Sequence, residues 1–351
     1  VKLRSMSISW GLMVGAVIIA LLFTSLILVL AGAQPFRAYW DILVGSIGSI
    51  TKISDVIRSW VPLALVTSGL LIAFTAGLWN IGIEGQIALG AIFTTGALRL
   101  LENSSMPAGL IIFIAILAGA AGGALWASLV GLLRIYGGVN EIFGGLGMNF
   151  IATALTIFLI FGPWKRPGVA SMSGTELFDR SLWLPQVPGY SISLWSIGLA
   201  LAGLALVFFL LRGTYFGLKL KAVGKNNKAA FVMGIPTSRY MLYAFLMCGV
   251  FAGLAGSIQV VGLYHRLIPS ISSGYGFLGL LVAMLVNFQP LLSALVAFFF
   301  AALNIGAIQL PINLRLDSNL SGVLQGALVL FVLLMSGVRQ KLMQNPKGGE
   351  K

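Results

Sequence analysis

The sequence predicts an all-α fold, a polytopic transmembrane helical bundle of about ten crossings with a loose internal repeat and broken helices. Three observations carry this. First, 58% of the 351 residues are hydrophobic and only 9% are charged, with a mean hydropathy of +1.00, where an ordinary soluble domain carries about 25% charged residues. Second, the apolar runs reach the roughly 20 residues that a helix needs to cross a hydrocarbon core of about 30 Å. Third, the basic residues gather in short segments between those runs and near both ends, as the positive-inside rule demands. That rule also accounts for the net charge of +13. A nucleic-acid partner is not implied, because phosphate tracking needs a soluble basic face.

In chain order the crossings fall at 11–33, 61–77, 83–101, 108–133, 141–162, 192–211, 240–263, 275–288, 291–310 and 318–337. Lys2 and Arg4 before an apolar run, with Ala31-Gly32-Ala33 after it, resemble a signal peptide. The run exceeds the usual 7–15 residues of such a core, so it reads as an uncleaved first helix. Residues 34–60 mix Arg37, Asp41, Lys52, Asp55 and Arg58 with Ile and Val, the composition of an amphipathic surface element. With the N-terminus inside, Arg134, the segment 212–239 and the C-terminal tail also fall inside. Residues 163–191, with Pro163, Pro167, Pro185 and Pro188 beside Trp164, Trp183 and Tyr190, then form a long extracytoplasmic loop, of a length that is commonly functional. Residues 1–338 read as one transmembrane domain and 339–351 as a cytoplasmic tail.

The polar segment between the sixth and seventh crossings is the most informative. It concentrates Arg212, Lys219, Lys221, Lys225, Lys228 and Arg239 without one acid, and so belongs in the cytoplasm, placed to meet a partner.

Two Gly-interrupted stretches sit at corresponding places in the two halves: Gly77-Leu78-Trp79-Asn80-Ile81-Gly82-Ile83-Glu84-Gly85-Gln86 and Gly274-Tyr275-Gly276-Phe277-Leu278-Gly279. Paired broken segments point to a transport site near the bilayer midplane. Glu84 is the acid set deepest in an apolar region, where an ionisable group needs a cavity or a partner. Two readings stay open for it. With Asn80 and Gln86 it contacts substrate on a pathway, or it belongs to a buried network that braces the helix break. Asn149, Asn287, Gln289, Asn304 and Gln309 are further polar candidates for that pathway, and Phe277 and Phe288 are candidates to stack on a flat ring. Gly119, Gly122 and Gly123, Gly144, Gly145 and Gly147, and Gly249, Gly253 and Gly256 permit close helix approach.

Chemistry of other kinds finds little support. Cys248 and His265 each stand alone in the sequence, which leaves no thiol framework, metal cluster or catalytic triad. There is no G-x-x-x-x-G-K-[ST] phosphate loop for ATP hydrolysis and no carboxylate pair suited to acid–base catalysis. Neither a catalytic residue nor a cofactor is expected.

Lys228-Ala229-Ala230-x-x-x-Gly234 has the spacing of the E-A-A-x-x-x-G loop of bacterial ABC importer permeases, with Lys in place of Glu. The longer stretch Ala222–Ile235, with Gly224, Asn226, Ala229, Ala230, Gly234 and Ile235 as its fixed points, resembles the ribose and branched-chain amino acid permease family. The Gly77–Gln86 segment, Gly138-Val139-Asn140-Glu141-Ile142 and Gly147-Met148-Asn149 are similar to the longer permease subunit of nucleoside importers that use a basic-membrane-protein-type lipoprotein receptor. The likeness covers about 60–338. It implies a bacterial inner-membrane importer subunit with both termini cytoplasmic, paired with a second permease, a cytoplasmic ATPase and an extracytoplasmic receptor, and surrounded by lipid. In the coupling loop 213–239, the part around Lys228, Ala229, Ala230 and Gly234 would form the short coupling helix seated on the ATPase, close docking being allowed by the small residues at 229, 230 and 234. Asn80, Glu84, Gln86, Asn149, Phe277 and Asn287 would lie on the translocation pathway. Simple sugars or another small polar solute are alternatives to nucleosides, as is a secondary transporter that uses Glu84.

Overall fold

The computed structural model describes residues 2–168, 173–286, 289–315 and 320–344. Long helices dominate it, and the described residues hold no strand. In order they are α1 (Lys2–Leu30), α2 (Pro35–Ile47), α3 (Ile50–Thr75), α4 (Ile83–Leu101), α5 (Ala108–Ile135), α6 (Glu141–Phe161) and α7 (Leu194–Gly213). There follow α8 (Tyr215–Lys225), α9 (Asn227–Val232), α10 (Thr237–Ile258), which continues as a π-turn at Gln259–Tyr264, α11 (Tyr275–Leu285), α12 (Pro290–Gly306), α13 (Gln309–Leu314) and α14 (Leu320–Gln344).

The chain divides into two compact units, 1–56 with 299–351, and 57–298. In the first, α1 turns through 108° into α2, and Leu28, Ala38, Ile42, Ala307 and Leu310 form a small apolar core. The Tyr39 hydroxyl donates to the Leu21 carbonyl at 2.9 Å, and Phe23 meets Phe331 edge-on. α2 is amphipathic as its composition requires. Ala38, Ile42 and Gly45 are buried, while Phe36, Trp40, Leu43 and Ile47 follow helical spacing along the exposed face.

In the second unit, α3, α4, α5 and α10 surround the core. Of the apolar windows, 89% of α3 and 78% of α10 with its π-turn are buried, against 17% for α6 and 28% for α7. The inner helices thus pack against protein, while the outer ones turn apolar faces outward as lipid contact demands. Glycines make the inner contacts possible. A Cβ on Gly253 would strike the backbone of Gly119, one on Gly123 the backbone of Gly249, and one on Gly256 the carbonyl of Ile87. Thr94 and Ser257 share a 2.8 Å hydrogen bond at this crossing. Gly145 likewise meets the backbone of Gly82, whereas Gly147 faces open space.

Two expectations change. Among the described residues six helices are long and apolar enough to cross a membrane, or seven if the bent α1–α2 pair is one span, so helix length and composition do not reach ten. α4 matches its expected bounds. α11 starts at Tyr275 as expected but has 11 residues, about 16 Å of helix, less than the roughly 30 Å of a hydrocarbon core. The second change concerns 34–60, whose latter half is not a surface element. From Ile50 it is α3: Lys52, Asp55 and Arg58 lie three apart on one helix face, while Val56, Ser59 and Trp60 are buried. Ser59 shares a 2.9 Å hydrogen bond with the Tyr275 hydroxyl, and Trp60 Nε1 donates to Ala294 O.

Candidate translocation site and coupling surface

The first interruption begins where α3 ends. Gly77 adopts φ +75°, which an L side chain resists. Its N–H donates to Phe74 O at 2.9 Å and the Leu78 N–H donates to Ala73 O at 3.0 Å, the paired bonds that close a helix C-terminus. Beyond it, Asn80 and Gln86 exchange amide hydrogen bonds of 3.0 and 2.9 Å, and Asn80 Nδ2 also reaches Cys248 Sγ at 3.1 Å. Both amides are fully buried. From α6, Asn149 accepts from Gly85 N–H at 2.8 Å and donates to Ile81 O at 3.0 Å. It thereby satisfies backbone groups that the break leaves without helical partners. The Gly85 Cα lies beside Trp126, nine residues before the end of α5, so α4 starts about 14 Å in from that end of the helix.

At this depth the two interruptions meet. Glu84 Oε1 accepts from the Phe277 N–H at 3.0 Å, and the Gly276 amide and Ser272 hydroxyl also face the carboxyl. The side chain of α4 therefore caps the N-terminus of α11. The preceding loop is held as tightly. Gln259 Nε2, on the π-turn, donates to Ile271 O at 3.2 Å, and Tyr264 and Ser273 share a hydroxyl contact of 3.1 Å. His265 and Ser273 take left-handed φ values of 54° and 50°.

Beside this junction lies a cavity of about 400 Å³, within the range of small-molecule sites. Its wall includes Glu84, Asn149, Phe150, Thr153, Ser270, Ser272, Ser273 and Phe277. Of the sequence candidates, Glu84, Asn149 and Phe277 come together here. Asn80 and Gln86 stand behind the wall and hold the break, and Asn287 lies outside the described residues, as does Phe288. Asn304 and Gln309 belong to the other compact unit. The sequence reading missed Phe150, Thr153 and the three serines. Their signal was the run Pro269-Ser270-Ile271-Ser272-Ser273-Gly274, unusually rich in hydroxyls for the edge of an apolar span. A second hollow of about 340 Å³, between α7 and α10, has only apolar walls and offers no polar recognition.

Part of the loop 163–191 docks beside the cavity's serine-rich wall. Thr175, Phe178 and Leu184 donate backbone N–H groups to Leu267, His265 and Val261 at 2.9 to 3.0 Å. Trp183, legible in the sequence only as an interface aromatic, stacks on His265 with ring centres 3.7 Å apart. Burial, reinforced by the positive charge of Arg58, holds the imidazole pKa down at about 4.

On the polar segment, Thr214 caps α8 and the Asn226 side chain accepts from Ala229 N–H at 3.0 Å to start α9. Gly234, at φ +81°, ends α9 with the same paired bonds as Gly77. Ala229 is exposed, but Ala230 is buried, so that alanine faces its own protein. What α9 and its C-cap present outward is Phe231, Val232 and Met233, the last two at least 80% exposed. Three of the six cations have internal partners: Lys221 Nζ donates to Leu211 O at 2.5 Å, Lys219 lies over the rings of Tyr215 and Tyr240, and Arg212 lies over the ring of Phe208. Lys225 and Lys228 remain exposed beside the apolar knob.

Comparison with known proteins places this geometry in context. The family described as "Branched-chain amino acid transport system / permease component" matches residues 52–333. The chain is 29% identical to the glucose ABC transporter permease protein TsgB13 of Haloferax volcanii over 93% of its own length and 87% of that protein. It is 29% identical to the guanosine ABC transporter permease protein NupP of Bacillus subtilis, over 92% of this chain and 93% of the relative. The nucleoside ABC transporter permease protein NupB of Lactococcus lactis is 27% identical, over 83% and 82%. With a matched region that takes in the broken helices, the cavity and the polar loop, the chain belongs to this permease family and is a multi-pass membrane permease of an ABC transporter, not itself an enzyme.

Proposed function

We propose that this subunit carries nucleosides into the cell through the cavity beside Glu84, driven by a separate cytoplasmic ATPase seated on 212–239. An extracytoplasmic receptor delivers the substrate, and a second permease completes the pathway. The observation that carries the substrate reading is the composition of the cavity wall. The rings of Phe150 and Phe277 offer faces for a planar base, and Ser270, Ser272, Ser273, Thr153 and Asn149 offer hydroxyl and amide groups for a ribose. The relatives named for guanosine and nucleosides support it. The relative named for glucose favours a second reading, a hexose, which the same hydroxyls would bind and the aromatic faces would stack upon.

On this reading both termini and the 212–239 segment are cytoplasmic in a bacterial inner membrane, as the distribution of Lys and Arg requires. Phe231, Val232 and Met233 enter a groove of the ATPase, while Lys225 and Lys228 meet an acidic rim.

Co-purification from native membranes in mild detergent tests the assembly. The expected result is stoichiometric recovery of a P-loop ATPase and a second permease, with a receptor that binds a nucleoside more tightly than glucose. Recovery of this chain alone in a transport-active state would contradict it.

A further inference from the structure

The polar cytoplasmic-side loop and the cavity are joined by one short piece of chain. Gly224, in the last turn of α8, lies against the end of α3. A Cβ there would overlap the Thr75 carbonyl oxygen and stand 3.0 Å from Gly77 N. Reciprocally, a Cβ on Gly77 would lie 3.1 Å from Gly224 O and 3.2 Å from Gly224 Cα. Backbone thus meets backbone, with no side chain between to yield. From Gly77 the chain runs to Glu84 under continuous restraint. Asn80 is tied to Gln86 and Cys248, Ile81 O to Asn149, and Gly82 packs on Gly145. Its far end caps α11 through Phe277, on the cavity wall.

We propose that Gly77 and Gly224 form the joint through which movement of the coupling loop reaches the substrate cavity, with residues 77–84 as the transmitting strut. This rests on the ABC-importer reading of the loop. Close-packed contacts transmit displacement and do not absorb it, and a small shift at one end of a packed element is turned into a switch where its other end sits at a bistable junction. Gly77 is then a positioning residue, remote from substrate, that sets when the Glu84–Phe277 junction opens.

The test is Gly77→Ala in the assembled permease–ATPase–receptor complex. Gly138→Ala serves as control, since Gly138 also has positive φ (+64°) but no atom within 4 Å of its would-be Cβ. Two readouts are taken: ATP-driven uptake, and thiol labelling of Ser270→Cys in the cavity with and without a trapped ATP analogue. Cys248 is buried and stays silent. The expected result for Gly77→Ala is an intact complex, uptake lowered at least about ten-fold, within the span of a typical coupling free energy, and labelling that no longer responds to nucleotide. Gly138→Ala should keep both. Normal uptake by Gly77→Ala, an equal loss in Gly138→Ala, or failure of Gly77→Ala to assemble would each overturn the joint. A wild-type complex without ATP-dependent uptake would overturn the importer reading itself.

Discussion

Glu84 stands on the cavity wall and also caps α11, and substitution there tests its bracing role. Its carboxyl oxygen accepts the Phe277 N–H at 3.0 Å, with Gly276 and Ser272 close by. Glu84→Ala removes every acceptor atom at the start of α11. Each buried amide left without a partner costs about 1–3 kcal/mol, and two such amides with partial access to cavity water give about 3 kcal/mol. That is roughly a hundred-fold shift in the local opening of α11's first turn, at 1.4 kcal/mol per factor of ten. Glu84→Gln keeps an amide oxygen where Oε1 stands and so keeps the cap. Its cost is limited to a charge–dipole interaction of about 0.5–1 kcal/mol, a few-fold effect. Amide hydrogen exchange over 275–279 in the purified complex reads this directly, and ATP-driven uptake reads its consequence. Glu84→Ala should show strong deprotection and impaired uptake, and Glu84→Gln near-normal behaviour. Equal loss in both variants, with uptake that collapses when a proton gradient is dissipated, would refute the bracing role and restore Glu84 as a proton site.

Three further outcomes follow from the packing. Gly253→Ala drives a methyl group into the Gly119 carbonyl and should cost about 3 kcal/mol, at the upper end of overpacking, seen as a lowered Tm in detergent; an unchanged Tm would show that α5 and α10 can separate freely. Val232→Asp should abolish ATPase co-purification while leaving the permease's Tm unchanged, whereas Ala230→Glu should lower the Tm, because position 230 is buried and a buried unpaired acid is costly; the reverse pattern would place Ala230 at the interface. The His265 pKa is held below its ordinary 6.5, at about 4, so folding favours the neutral ring. The stability this contributes is complete above pH 6.5 and is lost as pH falls from there through 4. A thermal scan monitored by Trp fluorescence should show that acid sensitivity in the wild type and a smaller one in His265→Phe, and identical acid profiles would remove His265 as its source.

How much of this was legible in the sequence differs by element. Long apolar runs and basic loops are local composition, so the helical class, the bounds of α4 and the polar loop were readable. The close approaches at Gly119, Gly123, Gly145, Gly249, Gly253 and Gly256 were too, though Gly147 faces open space. The start of α11 at Tyr275 was legible from the glycine-rich stretch around it, but the Glu84 cap that holds it there was not, because it is supplied from 193 residues away. The same holds for α3. Its charged first turns read as surface until Ser59 and Trp60 find partners at Tyr275 and Ala294. Within the candidate site, the sequence showed which residues are polar at depth but not which way they face. Asn80 and Gln86 satisfy each other behind the wall, and Ala230 turns inward, while Ser270, Ser272 and Ser273 reach the cavity through a loop geometry that no periodicity signals.

Uptake into proteoliposomes that hold the complete complex with an excess of the receptor decides whether this ABC permease passes nucleosides through its cavity. Labelled guanosine should accumulate only with ATP on the ATPase side, insensitive to an uncoupler and competed by other nucleosides at concentrations where glucose has no effect. Uptake without ATP that an uncoupler abolishes would contradict the importer mechanism, and competition by glucose with none by nucleosides would contradict the assigned substrate.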